Sequence, residues 1–139
     1  MTIVIDASVA LKWVLPEDNS DLAEALRTEN LIAPPIWLIE SANALWRNVR
    51  VGKISAHDAA RLLNELSVAP ITVSHKESDV IEAFDLAVRL AHPVYDCLYI
   101  ALAQREKTYI VTADRRFADL ANRFPDIAAS VRLLGGPLS

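Results

Sequence analysis

A single cysteine, Cys97, occurs in the 139 residues, so no internal disulfide can form, which fits a reducing cytoplasm. Long apolar runs are missing too. The longest, Leu31 to Ile39, contains Pro34 and Pro35 and falls well short of the ~18 residues that a membrane span needs. No secretory leader is expected, because Asp6 interrupts the early apolar stretch and no basic residue precedes it. Repeats, low-complexity tracts and Gly/Ser-rich linkers are absent, so one domain over residues 1–139 is expected. Positive charge is in deficit, with a net charge of −4. That argues against bulk electrostatic binding to nucleic acid. It leaves room for an acidic site that carries much of the charge itself while local basic residues hold phosphates.

What is present is apolar and patterned. Hydrophobic residues make up 53% of the chain, enough for a filled core. Short β-type runs alternate with longer helical ones. Residues 2–6, 31–34, 71–74, 108–113 and 131–134 read as strands, the first a buried one. Helices are expected over 21–29, 55–69, 77–91 and 115–124, and in the segment opened by Pro93. One more carries an apolar stripe of Leu38, Ala42, Leu45, Trp46 and Val49 and ends near Gly52. This alternation predicts a three-layer α/β/α sandwich with a mostly parallel sheet of about four to five strands. In such sheets, sites form beyond the carboxyl ends of the strands, near the switch point in strand order.

Two strands run into aspartate at that edge, the first at Asp6 and the fourth at Asp114. Each is a candidate site residue, and each is equally a candidate helix cap. Glu40 lies opposite the apolar stripe of its helix, beside Ile36 and Asn43, where a solvated surface glutamate is the ordinary reading. Asp96 is the most unusual. It is the one charge in the otherwise apolar run 94–103, and a buried carboxylate costs several kcal/mol unless something pairs with it. Free backbone N–H groups in the first helical turn are one solution. A cation shared with the other acids is another.

If the four acids converge, each ionised pair at ~4 Å repels by about 4 kcal/mol at an effective dielectric near 20. Such a cluster either takes up protons or holds a divalent cation. All-oxygen ligation suits Mg²⁺ or Mn²⁺. Zinc is disfavoured, because Cys97 is solitary and His57, His75 and His92 are scattered; these histidines are expected on surfaces or loops. Acids holding Mg²⁺ at a sheet edge are a common solution for phosphodiester hydrolysis.

The ordered fragments "VIDASVALKW", "PPIWLIESANAL", "PVYDCLYIALA" and "TYIVTADRRF" together resemble the PIN-domain ribonucleases, and more narrowly the VapC toxins of bacterial and archaeal toxin–antitoxin systems. The resemblance spans almost the whole chain. It implies that Asp6, Glu40, Asp96 and Asp114 form an acidic quartet holding one or two Mg²⁺ or Mn²⁺ ions. Asp6 and Asp96 are then the direct ligands, with Glu40 and Asp114 acting through water or on a second ion. Ser8 and Thr112 match small hydroxyl positions flanking the family site, and Asn43 has the same supporting potential. The implied activity is endonucleolytic cleavage of RNA by metal-activated water, with no covalent intermediate. Lys12, Arg47, Arg50, Arg115 and Arg116 are candidates for holding the RNA backbone. A homodimer bound by a cognate antitoxin is the implied assembly. Trp13, Trp37 and Trp46 are assigned to core packing in preference to an interface.

Other readings remain open at this level. A receiver-like phospho-acceptor would need an acid after the third strand, where His75 and Lys76 stand. An aspartyl-phosphate enzyme would need an Asp two residues after its nucleophile, where Ser8 stands. A PIN fold without activity, binding only an antitoxin and DNA, is the remaining alternative.

Overall fold

The structure is a computed structural model and describes residues 1–136. Its centre is a strand that the sequence makes unavoidable. β1 (Thr2–Ile5) is β-branched and buried at Ile3, Val4 and Ile5, as befits a strand covered on both faces. β2 (Asn30–Ala33) and β4 (Ile110–Thr112) pair with it on either side. β3 (Ile71–Val73) and β5 (Val131–Leu133) form the edges, giving the order β3-β2-β1-β4-β5. All four pairings are parallel. Parallel pairing demands crossovers, and the helices supply them on both sides of the sheet. The switch in strand order falls between β1 and β4, the strands that Asp6 and Asp114 follow.

Each helix starts for a recognisable reason. α1 (Ala7–Ala10) follows β1 immediately. α2 (Ser20–Ala25) gives way to a tight turn over Leu26–Thr28, shorter than the continuous helix expected there. Pro34 and Pro35 end β2, and Pro35 occupies the position just before α3 (Ile36–Arg50) without a side-chain cap. That helix closes where Gly52 takes φ +81°, a conformation that costs other residues strain. α4 (Ala56–Ser67) is capped by the Ser55 hydroxyl, which accepts from the Asp58 N–H at 3.0 Å. α5 (Glu77–Leu90) and α6 (Val94–Arg105) lie against one another, and α6 packs on β1 and β4. α7 (Arg115–Asn122) and α8 (Pro125–Ala128) complete the chain before β5.

α6 is the core helix. Cys97, Tyr99, Ile100, Ala101, Leu102 and Ala103 are all buried, and its two alanines let neighbours approach closely. Burying one large apolar side chain contributes roughly 1.5–3 kcal/mol, so this helix is held firmly. On α3 the buried line is Trp37, Ser41 and Leu45. Trp46, expected in the stripe, is instead 54% exposed, because the buried line runs one position before it. Its ring lies under the Arg50 guanidinium, 5.6 Å away. Trp13 is half-buried and donates its indole N–H to the Ala23 carbonyl at 2.8 Å. Among the described residues, no single helix is long and apolar enough to cross a membrane.

Candidate active site

Asp6 leaves the end of β1 in extended conformation and turns its carboxylate back over α1, accepting from the Val9 N–H at 3.3 Å. It is only 8% exposed. Two hydroxyls hold it: Ser8 Oγ donates to Oδ1 at 2.5 Å and Thr112 Oγ1 to Oδ2 at 2.5 Å. Both hydroxyls are themselves engaged by backbone, Ser8 by the Ala113 N–H at 2.9 Å and Thr112 by the Asp114 N–H at 3.1 Å. The ends of β1 and β4 are thereby laced together through one carboxylate. Burial pushes the Asp6 carboxyl up to about 6, with a further upward push from nearby Asp96; the hydrogen bonds from Ser8, Thr112 and Val9 only partly offset this.

Glu40 enters from the second turn of α3. It is half-buried, and Tyr99 on α6 donates its hydroxyl to Oε1 at 2.5 Å. Burial raises its carboxyl above the usual range; the Tyr99 hydrogen bond works against this, and the charges of Asp96 and Asp6 add to the rise. Asp114 ends the run after β4 and caps α7, its Oδ1 accepting from the N–H groups of Arg116 at 3.0 Å and Phe117 at 3.3 Å. Capping and site placement are therefore compatible for both strand-end aspartates.

Asp96 sits in the first turn of α6. The apolar run around it suggests deep burial, yet its side chain keeps 33% of its exposure. The buried face of the helix is Cys97 and Tyr99–Ala103, while Asp96 points to the open end. Its partner is His92, whose Nε2 lies 2.5 Å from Oδ2. His92 is thus not the loop bystander expected from its spacing. The available signal was a histidine four residues before an acid at a helix start. Tyr99 is hidden in the sequence for a different reason: within an apolar run it reads as one more apolar residue, although a buried Tyr hydroxyl requires an acceptor.

Asp6, Glu40, Asp96 and Asp114 line one cleft of about 190 Å³, with Ala7, Ser8, Leu11, Ala44 and Arg47 completing its walls. Thr112 lies buried beneath it. Asn43 lines the adjoining groove, with Ile36, Ile39 and Tyr95, and Glu40 and Arg47 are shared by both. Of the basic candidates, Arg47 alone lines the acidic cleft. Lys12 is committed elsewhere, to Glu17 at 3.4 Å and the Asp18 carbonyl at 2.7 Å, with its side chain 9% exposed. Arg50 covers Trp46. Arg115 lines a separate groove with Asp119, Asn122 and Arg132, and Arg116 is exposed at the start of α7.

The donor set in the cleft fits a hard divalent cation. It offers carboxylates and a hydroxyl, no thiolate, and charges whose mutual repulsion such an ion relieves. Among the described residues, no three acidic, His or Cys side chains close on one point as a ready-made cage. Each acid is instead engaged by its own protein donor.

A PIN domain family model matches residues 3–123. The chain belongs to the PIN-domain family. This PIN domain is 33% identical over 129 residues to the Ribonuclease VapC3 of Pyrobaculum aerophilum, an alignment covering 90% of this chain and 96% of that protein. Its fold matches the crystal structure of PAE2754 from Pyrobaculum aerophilum with a TM-score of 0.73 at 19% identity, covering 97% and 90% of the two chains. A chain of VapBC2 from Rickettsia felis, bound to a DNA fragment from their promoter, matches with a TM-score of 0.65 at 13% identity, covering 96% and 98%. The PIN domain is of the VapC ribonuclease type.

Proposed function

We propose that this PIN domain is a Mg²⁺-dependent endoribonuclease, with Mn²⁺ an alternative, acting as the toxin of a type II toxin–antitoxin pair. The observation that supports the reading best is the convergence of four acids, spread along the chain from Asp6 to Asp114, in one cleft at the switch point of the sheet. A divalent ion bound there supplies activation of water and stabilisation of the leaving oxygen.

This chain's own residues do the rest. Asp6 and Asp96 are the direct ligands, one rising from β1 and the other from α6. Glu40 and Asp114 orient the attacking water or hold a second ion. Ser8 and Thr112 fix the Asp6 carboxylate on both oxygens, so that little reorganisation remains for the reaction. Arg47, at the join of cleft and groove, holds a phosphate of the RNA. Water attacks the phosphorus in line with the departing 3′ oxygen, leaving a 3′-hydroxyl and a 5′-phosphate.

The likeness to a VapBC2 chain supports an antitoxin as the protein partner, and a homodimer is the proposed assembly. The test is RNA cleavage with Mg²⁺, with EDTA, and by Asp6→Asn. Cleavage is expected with Mg²⁺, none with EDTA, and a loss on the order of 100-fold or more for Asp6→Asn. Cleavage indifferent to both chelation and Asp6→Asn would overturn the proposal.

A further inference from the structure

The carboxylates of the cleft are not alike in what holds them. Asp6 has hydroxyls, Asp114 has backbone N–H groups, and Glu40 has a phenol. Asp96 has an imidazole. Among the described residues, no lysine or arginine forms an ion pair with it; its side-chain partner is His92, whose Nε2 lies 2.5 Å from Oδ2. That imidazole is itself placed from two sides.

The first support is the backbone. Ala91 closes α5 in the left-handed conformation, φ 52°, and the His92 N–H then donates to the Ala87 carbonyl at 3.1 Å. Pro93 follows at once and starts α6. The residue is therefore pinned between two helix ends, with Asp96 one helical turn ahead. The second support is aromatic. The His92 ring stacks on Phe117 with centroids 5.8 Å apart and planes 8° from parallel. Phe117 is 2% exposed, and its backbone N–H donates to Asp114 Oδ1. One residue of α7 thus serves the Asp114 cap and backs the ring that holds Asp96.

We propose that His92 is the positioning residue for Asp96: its Nε2–H holds Oδ2 and turns Oδ1 toward the cleft for the cation. The inference rests on the reading of the cleft as a divalent-cation site. It requires only a hydrogen on Nε2, which both the neutral Nε2–H tautomer and the imidazolium carry. A ligating carboxylate is generally oriented by such an outer hydrogen bond, and losing it costs about 10–100-fold in metal affinity or activity. Without the imidazole, Asp96 is free to rotate about χ1 and χ2, and binding a cation must then freeze that motion.

Mn²⁺ binding to the full chain, followed by electron paramagnetic resonance of the free ion, tests this with His92→Ala, His92→Gln and Asp96→Asn. His92→Ala is expected to weaken Mn²⁺ binding by about tenfold or more, and His92→Gln, which keeps a donor, to recover most of the loss. A merely structural role would lower the unfolding midpoint and leave Mn²⁺ affinity within about twofold, and that result overturns the proposal. Should His92→Ala not fold, nitrogen NMR of the wild-type imidazole decides. Hydrogen on Nε2 with a saturable response to Mg²⁺ supports the proposal, and hydrogen on Nδ1 alone or no response overturns it. If the wild-type chain binds Mn²⁺ no better than Asp96→Asn, the cation-site reading itself has failed, and with it the role of His92.

Discussion

Thr112 shows how much one buried hydroxyl does here. It is fully buried, donates to Asp6 and accepts from the Asp114 N–H, so two of the four acids depend on its geometry. Asp6 is already pushed up to about 6 by burial. A carboxyl must be ionised to hold a cation, so activity is expected to rise with pH through that range. Thr112→Val keeps the shape and removes the donor. Its acid limb is expected to move upward by about one pH unit, since a hydrogen bond to a charged group contributes about 1.5–3 kcal/mol. A pH–rate profile of RNA cleavage checks this, and an unmoved limb would separate Asp6 from the rate. The linkage to stability has the opposite sense. Because the folded carboxyl is raised, the folded state prefers the proton, and the Asp6 contribution to stability falls as pH rises from about 4 through about 6.

At the scale of elements, α6 is the piece that carries the site, and its two ends are fastened differently. Asp96 and His92 occupy the open end. At the other end Arg105 Nε and Nη2 donate to the two oxygens of Asp79, at 2.8 and 2.9 Å, and Nη2 also reaches Ser74 Oγ at 2.9 Å. This ties the last turn of α6 to the first turn of α5 and to the residue after β3. Asp79 is 5% exposed, and the Arg105 hydrogen bonds hold its carboxyl below the usual range. Asp79→Ala removes both charged hydrogen bonds from Arg105 to Asp79 and leaves the guanidinium only Glu106, at 3.1 Å, as a carboxylate partner; a loss of about 2 kcal/mol is expected at neutral pH. A depressed carboxyl contributes stability above its ordinary range and loses it as pH falls. Denaturant unfolding should therefore show the gap between wild type and Asp79→Ala narrowing toward pH 3.

The elements also show what the sequence could and could not tell. Strands and helices were legible because β-branched runs alternate with amphipathic ones, and the acids at strand ends were legible because Asp6 and Asp114 interrupt otherwise apolar segments. Strand order was not, since nothing local states which parallel strands pair. The same limit hid the partners in the cleft. Tyr99 meets Glu40 across fifty-nine residues of chain, and His92 reaches Asp96 only because a left-handed residue and a proline bend the backbone between two helices. The contacts of Lys12 are hidden for a related reason, since its acceptors Glu17 and Asp18 lie on the loop that folds back over it. Spacing places Trp46 in the stripe, but on a helix the difference between buried and exposed is one position.

Taken whole, the molecule is a parallel sheet whose central strand delivers one acid, whose neighbour β4 delivers a second, and whose helices α3 and α6 bring two more to the same edge. A net charge of −4 is then no obstacle to RNA, because the acids are gathered in the cleft and Arg47 stands at its margin. Diffraction from crystals soaked in Mn²⁺, read by anomalous scattering at the manganese edge, examines that gathering directly. A peak coordinated by both Asp6 and Asp96 is expected, and it should vanish in Asp96→Asn. Manganese bound only elsewhere on the surface, with those two carboxylates still facing their hydroxyl and imidazole partners alone, would contradict it.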